Sequence, residues 1–161
     1  MTVPEFNACV DEHSDGLYRF ILKNIKDEDK ARDVVQDAYE KMWKKVDDIE
    51  SEKAKSYLFT TAYHCMIDDI RKHKKEQPFD IENDDVAYDS YHYTGAKDII
   101  NNAVQKLPAA QRSVLMLRDY EGYSYKEISE ITSLSEAQVK AYIYRARMFL
   151  KNYIGNPEKV I

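Results

Sequence analysis

The second half of the chain is organised around residues 107–151, LPAAQRSVLMLRDYEGYSYKEISEITSLSEAQVKAYIYRARMFLK. Pro108 suits the start of a helix, because the N–H that proline lacks has no helical partner there. Gly122 permits the sharp turn that ends this helix. Ser124, with Glu127 three residues later, has the spacing of a capping box and predicts that a short second helix begins there.

A third, longer helix follows, and Ser135 is placed to cap it. One face carries an apolar stripe at helical spacing, Val139, Ile143, Ala146 and Leu150. At about 100° per residue, the opposite face carries Lys140, Ala141, Tyr144, Arg145 and Met148. No acidic residue stands between positions 138 and 153. The pattern predicts a helix-turn-helix whose second helix enters a DNA major groove, although a three-helix bundle with a solvated basic face fits it too.

Composition limits the class of protein. A chain of 161 residues forms one domain or two very small ones, and four glycines and four prolines favour helix throughout. The net charge of −5 argues against indiscriminate nucleic-acid binding, but it leaves room for local basic surfaces. Cys9 and Cys65 are expected to be buried free thiols of a reducing compartment. No apolar run is long enough to span a bilayer and no signal peptide opens the chain, so we expect a soluble, cytoplasmic protein without membrane insertion.

The first half of the chain predicts three further helices. We expect them over about residues 2–25, 30–46 and 56–75, with a turn between the first two and a loop at 47–55. Thr2 and Glu5 have capping-box spacing at the start of the first. The second carries a polar outer face of Asp33, Gln36, Asp37 and Glu40. Trp43 near its end is either a core residue, the commoner case, or an interface anchor.

The third of these helices changes character along its length. It begins with the aromatic run YLFTTAY and ends on five successive basic residues, Arg71, Lys72, His73, Lys74 and Lys75. Cations suit a helix C-terminus because of the helix dipole. Five in succession exceed what capping needs, so phosphate binding is an equal alternative.

An acidic segment separates the two halves. Positions 76–96 hold six acidic residues and no Lys or Arg. This composition predicts a flexible linker at 77–96 between two helical domains, 1–76 and 97–161. Tyr88, Tyr91 and Tyr93 in this segment either dock on something or are exposed. No catalytic constellation, glycine-rich phosphate loop or metal-ligand spacing occurs in the chain, so we expect no enzymatic activity, cofactor or metal.

Three stretches, in order, resemble a bacterial RNA polymerase sigma factor of the sigma-70 family, extracytoplasmic-function group. They are DVVQDAYEKMWKKV (residues 33–46), YLFTTAYHCMIDDIRKHKK (residues 57–75), and the LP…QR through YRAR pattern of the second half. The resemblance implies an all-α fold of two small domains, similar to sigma regions 2 and 4. It also implies that the protein is a transcription initiation factor, which binds core RNA polymerase and promoter DNA. An anti-sigma factor would control it.

The resemblance also implies roles for individual residues. Docking on the clamp helices of the largest polymerase subunit would use Asp33, Gln36, Asp37, Glu40 and Trp43, and the second domain would meet the flap region. Capture of a −10 base would use Ile49, Tyr57, Phe59, Tyr63 and His64. The −35 element would be read by Lys140, Ala141, Tyr144 and Arg145. The DNA backbone would be held by Tyr125, Arg147, Lys151, Arg71, Lys74 and Lys75.

Two other functions fit parts of the sequence. An autonomous helix-turn-helix regulator would bind operator duplex as a dimer, and a pure interaction module would hold another helical protein. The first half of the chain separates these possibilities, because an autonomous regulator needs no aromatic single-strand pocket at positions 57–64.

Overall fold

The computed structural model describes residues 1–76 and 95–155, except for the side chains of residues 75, 76 and 96. The predicted linker, including its three tyrosines, lies almost entirely outside this part of the chain. The described residues form seven α-helices and no strand, which confirms the all-α prediction. The helices are α1 (Val3–Ile25), α2 (Glu28–Lys44), α3 (Ala54–Glu76), α4 (Ala96–Gln105), α5 (Ala109–Asp119), α6 (Tyr125–Thr132) and α7 (Glu136–Ile154).

Local hydrogen bonds begin the helices where the sequence predicts. Capping boxes with both reciprocal bonds start α1 at Thr2, α6 at Ser124 and α7 at Ser135. Each box satisfies backbone N–H groups that have no partner inside the helix. Helix α2 begins two residues earlier than predicted, because the side chain of Asp27 caps it by accepting the N–H of Lys30.

Helices α1, α2 and α3 pack as a bundle around one core. Its fully buried side chains are Leu17, Phe20, Ile21, Ala31, Ala38, Met42, Leu58, Phe59, Ala62 and Met66. Burial of one large apolar side chain contributes about 1.5–3 kcal/mol relative to leaving it exposed. The predicted loop at 47–55 is mostly two short 3-10 turns, and Ile49 between them is buried.

The second half is built on the predicted helix-turn-helix. Helix α7 packs on α5 and α6 through Val139, Ile143 and Ala146, all of which are buried. Gly122 has a φ of +75°, as its turn requires. Ser133 ends α6 in the left-handed region with a φ of +66°, which lets the chain turn into α7.

The two halves pack against each other. Helix α3 lies along α6, and α1 lies against α5. The ring of Phe59 on α3 meets that of Tyr123 edge to face, with 5.3 Å between centroids. Buried apolar residues of both halves therefore form one continuous cluster.

Trp43 is exposed rather than buried in the core. Its side chain remains 47% exposed and contacts only the edge of Phe6 among the described rings, at 5.1 Å. The core interpretation of Trp43 is therefore wrong. Cys9 and Cys65 are buried free thiols as predicted, and burial raises the pKa of each.

Candidate polymerase and nucleic-acid interfaces

One face of α7 is largely exposed among the described residues. Burial of its apolar stripe turns Lys140, Tyr144 and Arg145 outward, and Tyr144 is 65% exposed. Ala141 on the same face is half-buried. The structure thus brings together all four residues predicted to read the −35 element. A convex helix face of cations and an aromatic ring suits a DNA major groove.

Cations cluster beside this face around Tyr125, the first residue of α6. The guanidinium of Arg118 lies 4.5 Å from the centroid of the Tyr125 ring, and the ammonium of Lys140 lies 5.5 Å from it. Arg147, predicted to hold the DNA backbone, instead forms an ion pair with Asp119, with 2.6 Å between Nη2 and Oδ1. Lys151 is exposed. Lys151 therefore offers its charge to a phosphate more readily than Arg147 does.

The acidic outer face of α2 borders a cleft of about 540 Å³ between α2 and α3. Asp33, Gln36, Asp37 and Glu40 line it and are exposed, as predicted. Asp37 is 3.7 Å from the ammonium of Lys41, and it accepts a hydrogen bond from the thiol of Cys65 at 3.5 Å. A concave surface with these carboxylates suits a basic helical partner.

The residues predicted to capture a −10 base are mostly covered. Phe59 is fully buried, Tyr63 is 7% exposed, Ile49 is buried and Tyr57 is half-buried. Only His64 is exposed, with its Nδ1 donating to the carbonyl of Thr60 at 2.8 Å. Helix α3 packs against both α1 and α6, and the Phe59 ring meets Phe20 of α1 as well as Tyr123 of the turn before α6.

Lys55 and Thr60 lie on the same surface of α3, and the sequence did not single them out. The ammonium of Lys55 is 3.2 Å from a carboxylate oxygen of Glu127 and 4.0 Å from the centroid of the Tyr123 ring. The hydroxyl of Thr60 donates to the carbonyl of Glu130 at 3.4 Å. Lys55 lay in a predicted loop of mixed charge, and no local spacing marks it.

Two cations predicted to hold the DNA backbone are exposed at the basic end of α3. Lys74 is exposed, and Arg71 is 4.0 Å from the carboxylate of Asp68, the longest ion pair in the described part of the chain. The side chain of Lys75, a predicted backbone contact, lies outside the described residues. No group of His, Cys, Asp and Glu within the described ranges could hold a metal ion. No helix there is long and apolar enough to cross a membrane.

The described residues are all α-helical, with a helix-turn-helix in the second half and an exposed acidic face on α2 in the first, an arrangement that suits a DNA-binding transcription protein. Family comparisons identify the chain more closely. Residues 9–76 match the model described as sigma-70 region 2, and residues 97–150 match sigma-70 region 4. The chain is 31% identical to the ECF RNA polymerase sigma factor SigM of Bacillus subtilis, over 94% of each protein. It therefore belongs to the extracytoplasmic-function group of sigma-70 family RNA polymerase sigma factors, and the resemblance seen in the sequence is confirmed.

Solved structures agree on the fold. The sigma factor RpoE of Bartonella quintana, solved in complex with the anti-sigma factor NepR, matches with a TM-score of 0.75 and 24% identity over 96% of this chain and 99% of that one. CnrH, solved with the cytosolic domain of CnrY, matches with a TM-score of 0.68 and 22% identity over 94% of this chain and 88% of that one. As a sigma factor, the chain is a transcription initiation factor that directs RNA polymerase to promoters.

Proposed function

We propose that this sigma factor reads the −35 element of its promoters with the outer face of α7. The observation that carries this assignment is the outward display of Lys140, Tyr144 and Arg145 while the opposite stripe of the helix is buried. Arginine and lysine pair with guanine edges in the major groove, and the small Ala141 lets the helix approach the bases closely. Tyr125 and Lys151 flank this face and hold the backbone.

Docking on core polymerase uses the outer face of α2. The carboxylates of Asp33, Asp37 and Glu40 meet a basic helical pair in the largest subunit, and Trp43 adds an exposed aromatic anchor beside them. The two faces lie on different domains. Core binding and −35 recognition therefore use separate surfaces and can occur together.

Promoter opening uses α3. An extruded −10 base stacks on aromatic side chains of this helix, and Lys55, Arg71 and Lys74 hold the neighbouring phosphates. His64 is the exposed member of this set. A base reaches the edge of Phe59 only when the turn before α6 moves away, because the Tyr123 ring meets that edge, while the contacts of Phe59 with His13 and Phe20 stay within the first bundle.

The protein works by binding rather than by catalysis, in the cytoplasm where core polymerase and DNA are. Control by an anti-sigma factor is supported by the two structural relatives above, which were solved with an anti-sigma factor or with the cytosolic domain of a partner. An anti-sigma factor of this kind would compete with polymerase or DNA for the surfaces described here.

Run-off transcription tests the assignment. Core polymerase with the purified chain should transcribe from a promoter upstream of its own gene, and core alone should not. Replacing Tyr144 and Arg145 with Ala should abolish −35-dependent transcription while co-purification with core persists. Specific binding to operator duplex without any polymerase-dependent transcript would overturn the proposal and favour an autonomous regulator.

A further inference from the structure

The second domain supplies an aromatic ring to the proposed −10 surface. Tyr123, in the turn between α5 and α6, meets the ring of Phe59 edge to face at 5.3 Å between centroids. The ammonium of Lys55 lies 4.0 Å from the centroid of the same tyrosine ring. Tyr123 thus makes an aromatic contact and a cation–π contact with α3. A single-strand binding site offers an extruded base an aromatic ring and a cation, and Tyr123 takes up both Phe59 and Lys55 here.

The second domain also supplies a negative charge. One carboxylate oxygen of Glu127 lies 3.2 Å from the ammonium of Lys55, while the other accepts the backbone N–H of Ser124 at 2.9 Å in the capping box. The capping box fixes the glutamate, so the side chain is held facing α3. A phosphate of a bound strand would form the same charge-assisted contact with Lys55.

We propose that Tyr123 and Glu127 occupy the single-strand site of this chain, the ring in place of an extruded base and the carboxylate in place of its phosphate. The inference rests on the proposed −10 role of α3. In the free chain the site is filled by the chain itself, and a DNA strand binds only when α6 leaves α3. The apparent affinity for single-stranded DNA is then reduced in proportion to the small fraction of open molecules.

Contacts outside the single-strand site also hold α6 and the turn before it against α1 and α3. The guanidinium of Arg19 on α1 donates to both carboxylate oxygens of Glu121, at 2.8 and 3.0 Å, and the Glu121 side chain is only 5% exposed. The hydroxyl of Thr60 reaches the carbonyl of Glu130. Opening therefore breaks polar contacts on both sides of Tyr123, so a DNA strand competes with the whole interface.

Full-length variants test the proposal by fluorescence anisotropy with a fluorescein-labelled, random-sequence single-stranded DNA 12-mer. Tyr123→Ala should bind about tenfold more tightly than the unsubstituted chain, since it removes both ring contacts. Glu127→Gln should bind about two- to fivefold more tightly, because glutamine keeps the capping acceptor and loses the ion pair. Glu130→Gln is the matched control, since it makes the same charge change on an exposed side chain of α6.

Circular dichroism spectra should be unchanged in all three variants. If Tyr123→Ala and Glu127→Gln bind no more tightly than Glu130→Gln, α6 does not compete with DNA and the inference is overturned. The proposed function would still be supported in that case if holoenzyme containing the unsubstituted chain transcribes from the promoter. A holoenzyme that binds a promoter but never opens it would overturn the −10 role of α3, and the inference with it.

Discussion

Asn24 on α1 and Arg112 on α5 form a buried hydrogen bond between the two halves of the chain, with 3.1 Å between Oδ1 and Nε. The same asparagine oxygen accepts the hydroxyl of Ser113 at 3.2 Å. Arg112 is 7% exposed and forms no ion pair with any described residue, and burial lowers its pKa. Its other bonds go to the carbonyls of Gln105 and Leu107. The neutral Asn24 oxygen is therefore a principal acceptor for a buried cation.

Asn24→Ala should lower the free energy of unfolding by about 1–3 kcal/mol, because it leaves two buried donors without an acceptor. Asn102→Ala is the matched control, since Asn102 lies on an exposed face of α4 and the helix-propensity change is the same. Urea unfolding followed by circular dichroism measures both. Equal stability of the two variants would mean that water or another group replaces the asparagine oxygen.

Sequence reasoning found the local features of this fold. The capping boxes at Thr2, Ser124 and Ser135 depend on spacings of three residues, so they are visible without tertiary information. The outward face of α7 follows from helical periodicity in the same way. Both could be predicted because their physical cause lies within one or two helical turns.

The contacts between the halves could not be found this way. Asn24 and Arg112 are 88 residues apart, and Lys55 and Glu127 are 72 apart. No periodicity links such positions. The aromatic run of α3 was ambiguous for a related reason, because one face of the helix packs in its own bundle and another is covered by α6. Aromatic content alone does not tell which ring packs inside the bundle and which meets the second half of the chain, and Phe59 does both, through Phe20 and Tyr123.

The docking face of α2 makes a prediction about polymerase binding. Charge reversal by Asp33→Lys with Asp37→Lys should weaken association with core polymerase by roughly tenfold or more at moderate salt, because both carboxylates are exposed and would face a basic partner. Asp11→Lys on the exposed side of α1 is the single-site control for an acid outside this face. Titration with labelled core enzyme measures affinity, and an unchanged value for the double variant would remove α2 from the interface.

The backbone conformation of Ser133 in the helix-turn-helix is strained. Its φ of +66° lies in the left-handed region, where a residue with a Cβ is strained and glycine is not. Ser133→Gly should therefore raise the free energy of unfolding by about 0.5–1 kcal/mol. Ser133→Ala keeps the Cβ and should show no such gain. Urea unfolding of the pair separates backbone strain from loss of the hydroxyl, and equal stabilities would show that no strain is relieved.

Tyr123 predicts how stability changes at high pH. Burial, followed by the nearby charges of Glu121 and Glu127, raises the pKa of Tyr123 to about 12. Between pH 10 and 12 the unfolded chain therefore loses this proton and the folded chain keeps it, so the free energy of unfolding falls as pH rises. Tyr123→Phe removes the titrating group. From pH 9 to 11, the free energy of unfolding of this variant, measured by urea unfolding, should fall less steeply than that of the unsubstituted chain. If the two fall equally with pH, the raised pKa of Tyr123 is contradicted.

Substitutions in α7 can separate base-specific contacts from contacts with DNA phosphates. Arg145 is exposed at the centre of the outer face of α7, whereas Lys151 lies at its end. Arg145→Ala should cost about 1–3 kcal/mol of binding on a duplex with the −35 element of a transcribed promoter, and little on a scrambled duplex. Lys151→Ala should weaken both duplexes alike and lower the salt slope by about one, because it removes one phosphate contact. Titrations of the full chain at several salt concentrations measure both effects. If Arg145→Ala weakens the two duplexes equally, α7 makes only an electrostatic contact, and promoter choice must then depend on α3 and the −10 element.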